Sequence, residues 1–159
     1  MRMCEGVEWS LHCCLTLAWL GNETPVSTAK LAGQFDLPPS YLNKFLQALV
    51  RAGILTSTPG VRGGFLLARP PAQITLLEVV TAIEGPESAF RCAEIRQRGA
   101  GAARPASDFV QPCAIAAAMH RAEEAWRREL AAQTVADIMA AAPVAAAEQT
   151  RCWFGRPPG

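Results

Sequence analysis

The sequence predicts a mainly α-helical fold carrying one small β-hairpin, on three observations. Apolar residues recur at helical spacing over most of the chain before residue 54. The window 54–67 then switches to a strand pattern around Pro59, Gly60, Gly63 and Gly64. A second helical pattern runs on after Cys113.

The elements follow in order. Val7, Leu11, Leu15 and Ala18 predict a first helix from Val7 to Leu20, with Gly21 as its stop. Ser27 and Thr28 are good caps for a second, reaching Phe35, with Ala29, Leu31, Ala32 and Phe35 along one side. After LPPS, the stripe Leu42, Phe45, Leu46 and Leu49 turns inward, leaving Ser40, Lys44, Gln47 and Arg51 outward on a third helix that stops at Gly53. Two helices joined by a tight turn form a helix-turn-helix. ILTST and FLLA read as two strands, and a hairpin directly behind a helix-turn-helix is a wing. Thr75 caps a further helix, Leu76 to Glu84, ended by Gly85 and Pro86.

The rest divides at the cysteines. From Glu87 to Pro112 the pattern is irregular, and a long loop bracketed by Cys92 and Cys113 is expected to serve function. A long helix from Ala114 to about Ala142 carries Ile115, Met119, Ala122, Trp126 and Leu130 on one side. The first domain is too small to cover that side, so a symmetric dimer packed helix on helix is expected. The tail after Pro143 reads as frayed, with Trp153 and Phe154 as anchors. The predicted organisation is a winged helix-turn-helix over 1–86, a ligand-bearing loop over 87–112, a dimerisation helix over 113–142 and a tail over 143–159.

Charge narrows the function. The net charge is only +1, so global charge names no partner. Between Asp36 and Glu78, however, there is no acidic residue, while Lys44, Arg51, Arg62 and Arg69 fall inside. This local basic window predicts double-stranded DNA as partner. Ser40, Tyr41, Lys44 and Arg51 would sit on the helix entering the major groove, with Tyr41 and Lys44 as readers, while Arg62, Gly63 and Gly64 form the wing tip on the backbone or minor groove. No apolar run reaches the roughly 18 to 20 residues of a membrane span, and Glu5 and Glu8 stand where a secretion signal would be basic and then apolar. A soluble cytoplasmic protein without membrane contact is expected, its six cysteines reduced, catalytic or ligating metal.

Among these, Cys13, Cys14 and Cys152 read as fillers or bystanders. Cys113 follows Pro112 at the start of a helix, where backbone N–H groups favour a thiolate. With Cys92 it makes half a metal site. Glu8 and His12, four apart on the first helix, can converge as a second half. Two thiolates, an imidazole and a carboxylate do not by themselves identify the metal, since zinc and iron-sulfur clusters both accept such donors. A zinc hydrolase with Glu8 as base would need an HExxH-type motif, which is absent, so neither an enzyme nor a small-molecule substrate is expected.

The stretches VSTAKLAGQFDLPPSYLNKFLQALVRAGIL and GVRGGFLLARPPAQITLLEVVTAIEGP, with the cysteine-bounded loop, resemble the Rrf2 family of bacterial winged-helix regulators, from the first residue to about Ala140. The resemblance implies a homodimer holding an iron-sulfur cluster between subunits, commonly on three loop cysteines and one ligand from helix one of the other chain. This loop region has only two cysteines, which departs from that pattern. VEWSLHCC, CAEIRQRG, PCAIAAAM and AEEAWRREL are instead similar to redox-regulating members whose 2Fe-2S cluster is held by two cysteines of one subunit and a glutamate and histidine of the other. Carried over, the ligands are Cys92, Cys113, Glu8 and His12, with one 2Fe-2S cluster per subunit. The same resemblance implies that Trp9 moves with redox state and relays it toward the DNA-binding module. The expectation is a homodimeric repressor of transcription that binds a palindromic operator and senses redox state. The alternative is a metal-free regulator with a Cys92/Cys113 thiol switch.

Overall fold

In the computed structural model, which describes residues 3–155, the first apolar stripe becomes α1 (Glu5–Leu20). Val7, Cys13, Cys14, Leu15 and Leu17 are buried along it, and Gly21, at φ 77, closes it with its N–H on the Leu17 carbonyl. The Ser27 hydroxyl accepts the Lys30 N–H at 3.3 Å and so caps α2 (Thr28–Gln34). Asp36 then turns left-handed at φ 52, and the Leu37 N–H returns to the Ala32 carbonyl at 2.9 Å, which makes the turn tight. Pro39, fitted to a first helical position, opens α3 (Pro39–Arg51), which buries Leu42, Leu46 and Leu49.

The wing forms as expected. Strands β1 (Leu55–Thr58) and β2 (Gly64–Leu67) pair antiparallel, with Leu55 opposite Leu67 and Thr58 opposite Gly64. Val26 and Phe65 exchange backbone hydrogen bonds of 3.0 and 2.8 Å, tying the approach to α2 onto the wing. Gly64 has to be glycine there, because its φ is 154 and a Cβ would strike the Val26 backbone. Thr75 and Glu78 form a reciprocal capping box on α4 (Leu76–Glu84). Leu31, Leu42, Leu46, Leu49, Ile54, Ile74, Val79 and Val135 are the fully buried centre.

The predicted continuous helix from Ala114 to Ala142 is corrected. The chain forms α5 (Ala114–Ala131), breaks, and resumes as α6 (Val135–Ala141). The break has two causes. Thr134 and Asp137 make a second capping box, in which the Thr134 hydroxyl accepts the Asp137 N–H and the Asp137 carboxylate accepts the Thr134 N–H at 2.8 Å. The backbone around it is also taken by non-local bonds, from the Leu76 N–H to the Gln133 carbonyl and from the Val135 N–H to the Ile74 carbonyl, both 2.9 Å. Thr75 and Thr134 thereby lie in one antiparallel bridge.

The tail is likewise not frayed within the described residues; positions 156–159 of that prediction lie outside them. Pro143 leads into α7 (Val144–Phe154), which packs on α1. Its Thr150 is buried and receives the Gln34 amide at 3.5 Å, and Arg151 donates to the Trp19 carbonyl at 3.3 Å. Of the two expected anchors, Phe154 packs against the core, whereas Trp153 is exposed and its ring meets that of Phe154 edge to face, 4.7 Å between centroids.

The chain divides into two compact units, one reaching to Pro86 and resuming at Leu130, the other spanning Glu87–Glu129. Within the second, the expected irregular loop is shaped by three 3-10 turns, Ile95–Gln97, Gly99–Gly101 and Ala106–Phe109. On α5, Glu123 accepts from the Ser88 hydroxyl, the Ala89 N–H and Arg127.

Candidate functional site

The DNA face predicted from the sequence begins with α3, where Ser40, Tyr41, Lys44 and Arg51 are all exposed. The Lys44 ammonium stands 5.6 Å from the Tyr41 ring centroid, a cation-π contact that orients the lysine without burying it. Arg62 is exposed at the wing tip. Beside it Gly63 leaves no room for a side chain, since a Cβ would run into the Thr58 carbonyl, so the tip stays narrow. Arg69, the fourth cation of the basic window, is committed inward: it donates to the Gly53 and Gln73 carbonyls at 3.3 and 2.8 Å and to Glu78 at 2.9 Å. Ser27, Thr28, Gln47, Ser57 and Thr58 line an uncharged cleft between wing and helix-turn-helix.

On α1, Glu8 and His12 are exposed and border one depression, together with Cys4 and Leu11. The His12 ring lies 5.3 Å from that of Phe35. Trp9, next to Glu8, is half-buried and turns the other way. Its ring meets Tyr41 at 5.6 Å and Phe45 at 5.9 Å, both edge to face, and those two rings meet each other at 5.0 Å. Gly6 makes the approach possible, because a Cβ there would overlap the Phe45 ring.

The cysteines sort by environment. Burial pushes the Cys13 thiol up to about 12 and the Cys14 thiol higher still, so both are inert core, as their positions in the sequence suggest. Cys4 and Cys152 are exposed. Cys92 is exposed and Cys113 half-buried. The backbone N–H groups of Ala116 and Ile115, at the start of α5, hold the Cys113 thiol below the ordinary cysteine value, and Arg96 adds to the effect. The Arg96 guanidinium, itself held chiefly by Glu94, lies within electrostatic reach of both Cys113 and Cys92.

Of the four ligands carried over from the resemblance, Glu8 and His12 thus share one depression in the first unit, and Cys92 and Cys113 lie within electrostatic reach of one arginine in the second. Among the described residues of one chain, no group of three or more His, Cys, Asp and Glu side chains is arranged to hold a metal ion. Sequence reasoning missed Arg96, although its place between the two cysteines, in CAEIRQRG, was a usable signal. It also missed that Tyr41 has an inner role as well as an outer one.

Comparisons with known proteins agree with this architecture. The family model described as Rrf2, iron-dependent transcriptional regulator, matches residues 3–141. The chain is 33% identical over 138 residues to the HTH-type regulator YffB of Lactococcus lactis, covering 87% of this chain and 86% of that protein. It is 29% identical over 140 residues to the regulator NsrR of Geobacillus kaustophilus, covering 87% and 90%. Among solved structures it is similar to CymR, the global cysteine regulator of B. subtilis, with a TM-score of 0.67 and 22% identity over 90% of this chain and 99% of that one; this likeness carries the fold. These relatives are transcriptional regulators rather than enzymes, and among the described residues no helix is long and apolar enough to cross a membrane. The winged helix-turn-helix is accordingly a DNA-binding module, and the chain belongs to the Rrf2 family of transcriptional regulators.

Proposed function

We propose that this DNA-binding regulator is a homodimeric repressor that reads redox state through a 2Fe-2S cluster shared between subunits. The observation that carries the reading is the division of the donors: a thiol pair beside Arg96 in one unit, and a carboxylate–imidazole pair flanking Trp9 in the other. Each is half of a ligand set, and two copies of the chain supply two whole ones.

The donor chemistry fits the group. Two sulfurs, one imidazole nitrogen and one carboxylate oxygen would supply the four protein donors that a two-iron cluster needs. Cys92 and Cys113 would hold it from one subunit, Glu8 and His12 from the other. When bound, such a cluster supplies a one-electron couple whose potential follows charge and hydrogen bonding around it.

The chain's own residues do the rest. The N–H groups of Ala116 and Ile115 stabilise negative charge on the Cys113 sulfur. Glu8 and His12 lie on either side of Trp9 along α1, so a change in the pull on α1 is felt at Trp9. Trp9 passes it to Tyr41 and Phe45 on α3, beside the DNA-reading Lys44. Exposed Ile115 and Met119 give α5 an apolar face for a second copy. A two-fold dimer places two α3 helices on a palindromic operator whose half-sites lie about one turn of DNA, roughly 34 Å, apart or a multiple of it. A coupling of about 1 to 3 kcal/mol between the sites is enough to switch occupancy.

A second reading keeps the DNA module but not the metal. Cys92 and Cys113, both within reach of Arg96, form a disulfide as their two thiols give up two electrons and two protons to an external disulfide, leaving it as two thiols. One experiment separates the readings: visible absorption of protein purified without oxygen, before and after chemical reduction, with iron and sulfide counted on the same sample. The cluster reading expects absorbance that bleaches on reduction, with about two irons per chain, lost in His12→Ala and Cys92→Ala. A colourless protein whose DNA affinity responds to reductant but not to chelator overturns it in favour of the thiol switch.

A further inference from the structure

The loop between Cys92 and Cys113 is long, and without contacts of its own its ends would wander. A shared metal group or a disulfide tolerates little of that, since bridged cysteines need Cβ atoms only about 3.5 to 4.5 Å apart. Something in the loop has to hold its two ends together.

One side chain reaches both. Arg96 makes a bidentate pair with Glu94, Nε to Oε1 at 2.5 Å and an Nη to Oε2 at 2.8 Å. The same Nη donates to the Gln111 carbonyl at 3.1 Å. Glu94 lies two residues after Cys92, and Gln111 two residues before Cys113. We infer that Arg96 is the positioning residue of the cysteine pair, stapling the segment after Cys92 to the segment before Cys113 so that the two sulfurs stand ready before any metal or oxidant arrives.

The surroundings are built around this contact. Glu94 adopts a left-handed backbone, φ 46, unusual for a glutamate. Phe109 lies between two guanidinium groups, 5.7 Å from Arg96 and 5.6 Å from Arg104, and Arg104 is fixed in turn by Asp108 at 3.0 Å. Gly101 passes so close to the Arg96 carbonyl that a Cβ there would collide with it. Arg96 is therefore held at its donors and against the Phe109 ring. Lysine could not replace it, because a single ammonium lacks the planar fork that engages a carboxylate in two bonds while donating to a carbonyl.

The inference rests on the proposed function only in that Cys92 and Cys113 act as a pair; it requires no cluster. The test uses the full-length, metal-free, reduced protein and phenylarsine oxide, a reagent that binds tightly only where two thiols lie close together. Wild type should take up one arsenical per chain, and Cys92→Ser should abolish the uptake. Arg96→Ala and Arg96→Lys should both weaken it by about tenfold or more, because capture of the second thiol depends on the effective concentration the staple maintains. Circular dichroism and operator affinity of the metal-free protein should stay at wild-type values; if Arg96→Ala does not fold, Arg96→Lys, which keeps the charge, decides. Capture by the folded variants at wild-type strength overturns the staple, as does a wild type that captures no better than Cys92→Ser. A wild type that captures the arsenical but never holds iron overturns the cluster reading and leaves the staple standing.

Discussion

Trp9 and Tyr41 meet edge to face, 5.6 Å between ring centroids, and Lys44 stands 5.6 Å from the centroid of the same Tyr41 ring. One aromatic contact thus separates a residue adjacent to Glu8 from a residue on the proposed DNA face. Trp9→Ala removes it. On the proposed redox reading, wild-type operator affinity should differ by about 5- to 150-fold between oxidised and reduced protein, and in Trp9→Ala the two affinities, measured by fluorescence anisotropy, should converge to within about a factor of two.

Gly6→Ala tests the packing beneath that contact. The new methyl group overlaps the Phe45 ring, which has to move against Trp9 and Tyr41. Overpacking of this kind costs about 1 to 3 kcal/mol, to be read as a lower urea midpoint with an unchanged slope.

Lys44 and Arg62 should separate by the kind of DNA contact proposed for each. Lys44→Ala is expected to cost about 1 to 3 kcal/mol on the operator and little on random DNA. Arg62→Ala should weaken both alike and reduce the salt dependence of log K by about one. Titrations of operator and random duplex at several salt concentrations check both.

Thiol reactivity should follow burial. In the native reduced protein Cys4, Cys92 and Cys152 are exposed and Cys113 is half-buried with its pKa lowered, so an aromatic disulfide reagent near pH 8 should reach all four, whereas Cys13 and Cys14 are buried. The count should be three fast thiols and a slower Cys4, whose pKa is raised by burial and by the Glu84 carboxylate, rising to six in denaturant.

Acid should weaken the winged-helix unit partly through Glu78. Burial raises its pKa, but the Thr75 backbone N–H, Arg69 and the Thr75 hydroxyl outweigh that and hold it below its ordinary value near 4.5. A carboxylate lowered on folding contributes stability above its unfolded pKa and loses it as the pH falls through the folded one. Glu78→Gln should therefore lower the melting temperature at pH 7, and the difference from wild type should shrink as the pH falls below about 4.5.

Local chemistry made much of this legible. The stripe of Leu42, Leu46 and Leu49, the Ser27 and Thr75 caps and the paired glycines of the wing each fix their element from within a few residues. What escaped was set from afar. The break before α6 depends on bonds between residues 74–76 and 133–135, although the Thr134–Asp137 capping box was a local signal overlooked in a run of helix formers. In α7, Thr150 finds its partner at Gln34 and Arg151 at Trp19. For the site, Glu8 with His12 could be paired by helical spacing, whereas Arg96 bridging Glu94 and Gln111 follows no period.

The bridge between Thr75 and Thr134 has an architectural consequence. Two capped helix starts, those of α4 and α6, are buttoned together by backbone bonds that involve nothing between Glu87 and Glu129. Lengthening a flexible excursion costs only about 0.6 kcal/mol per doubling, so what is spliced between those two starts can change in size and ligand chemistry at little expense to the reading head. The cysteine-bearing segment is in this sense an exchangeable cassette, and one DNA-reading frame can serve sensors of quite different kinds.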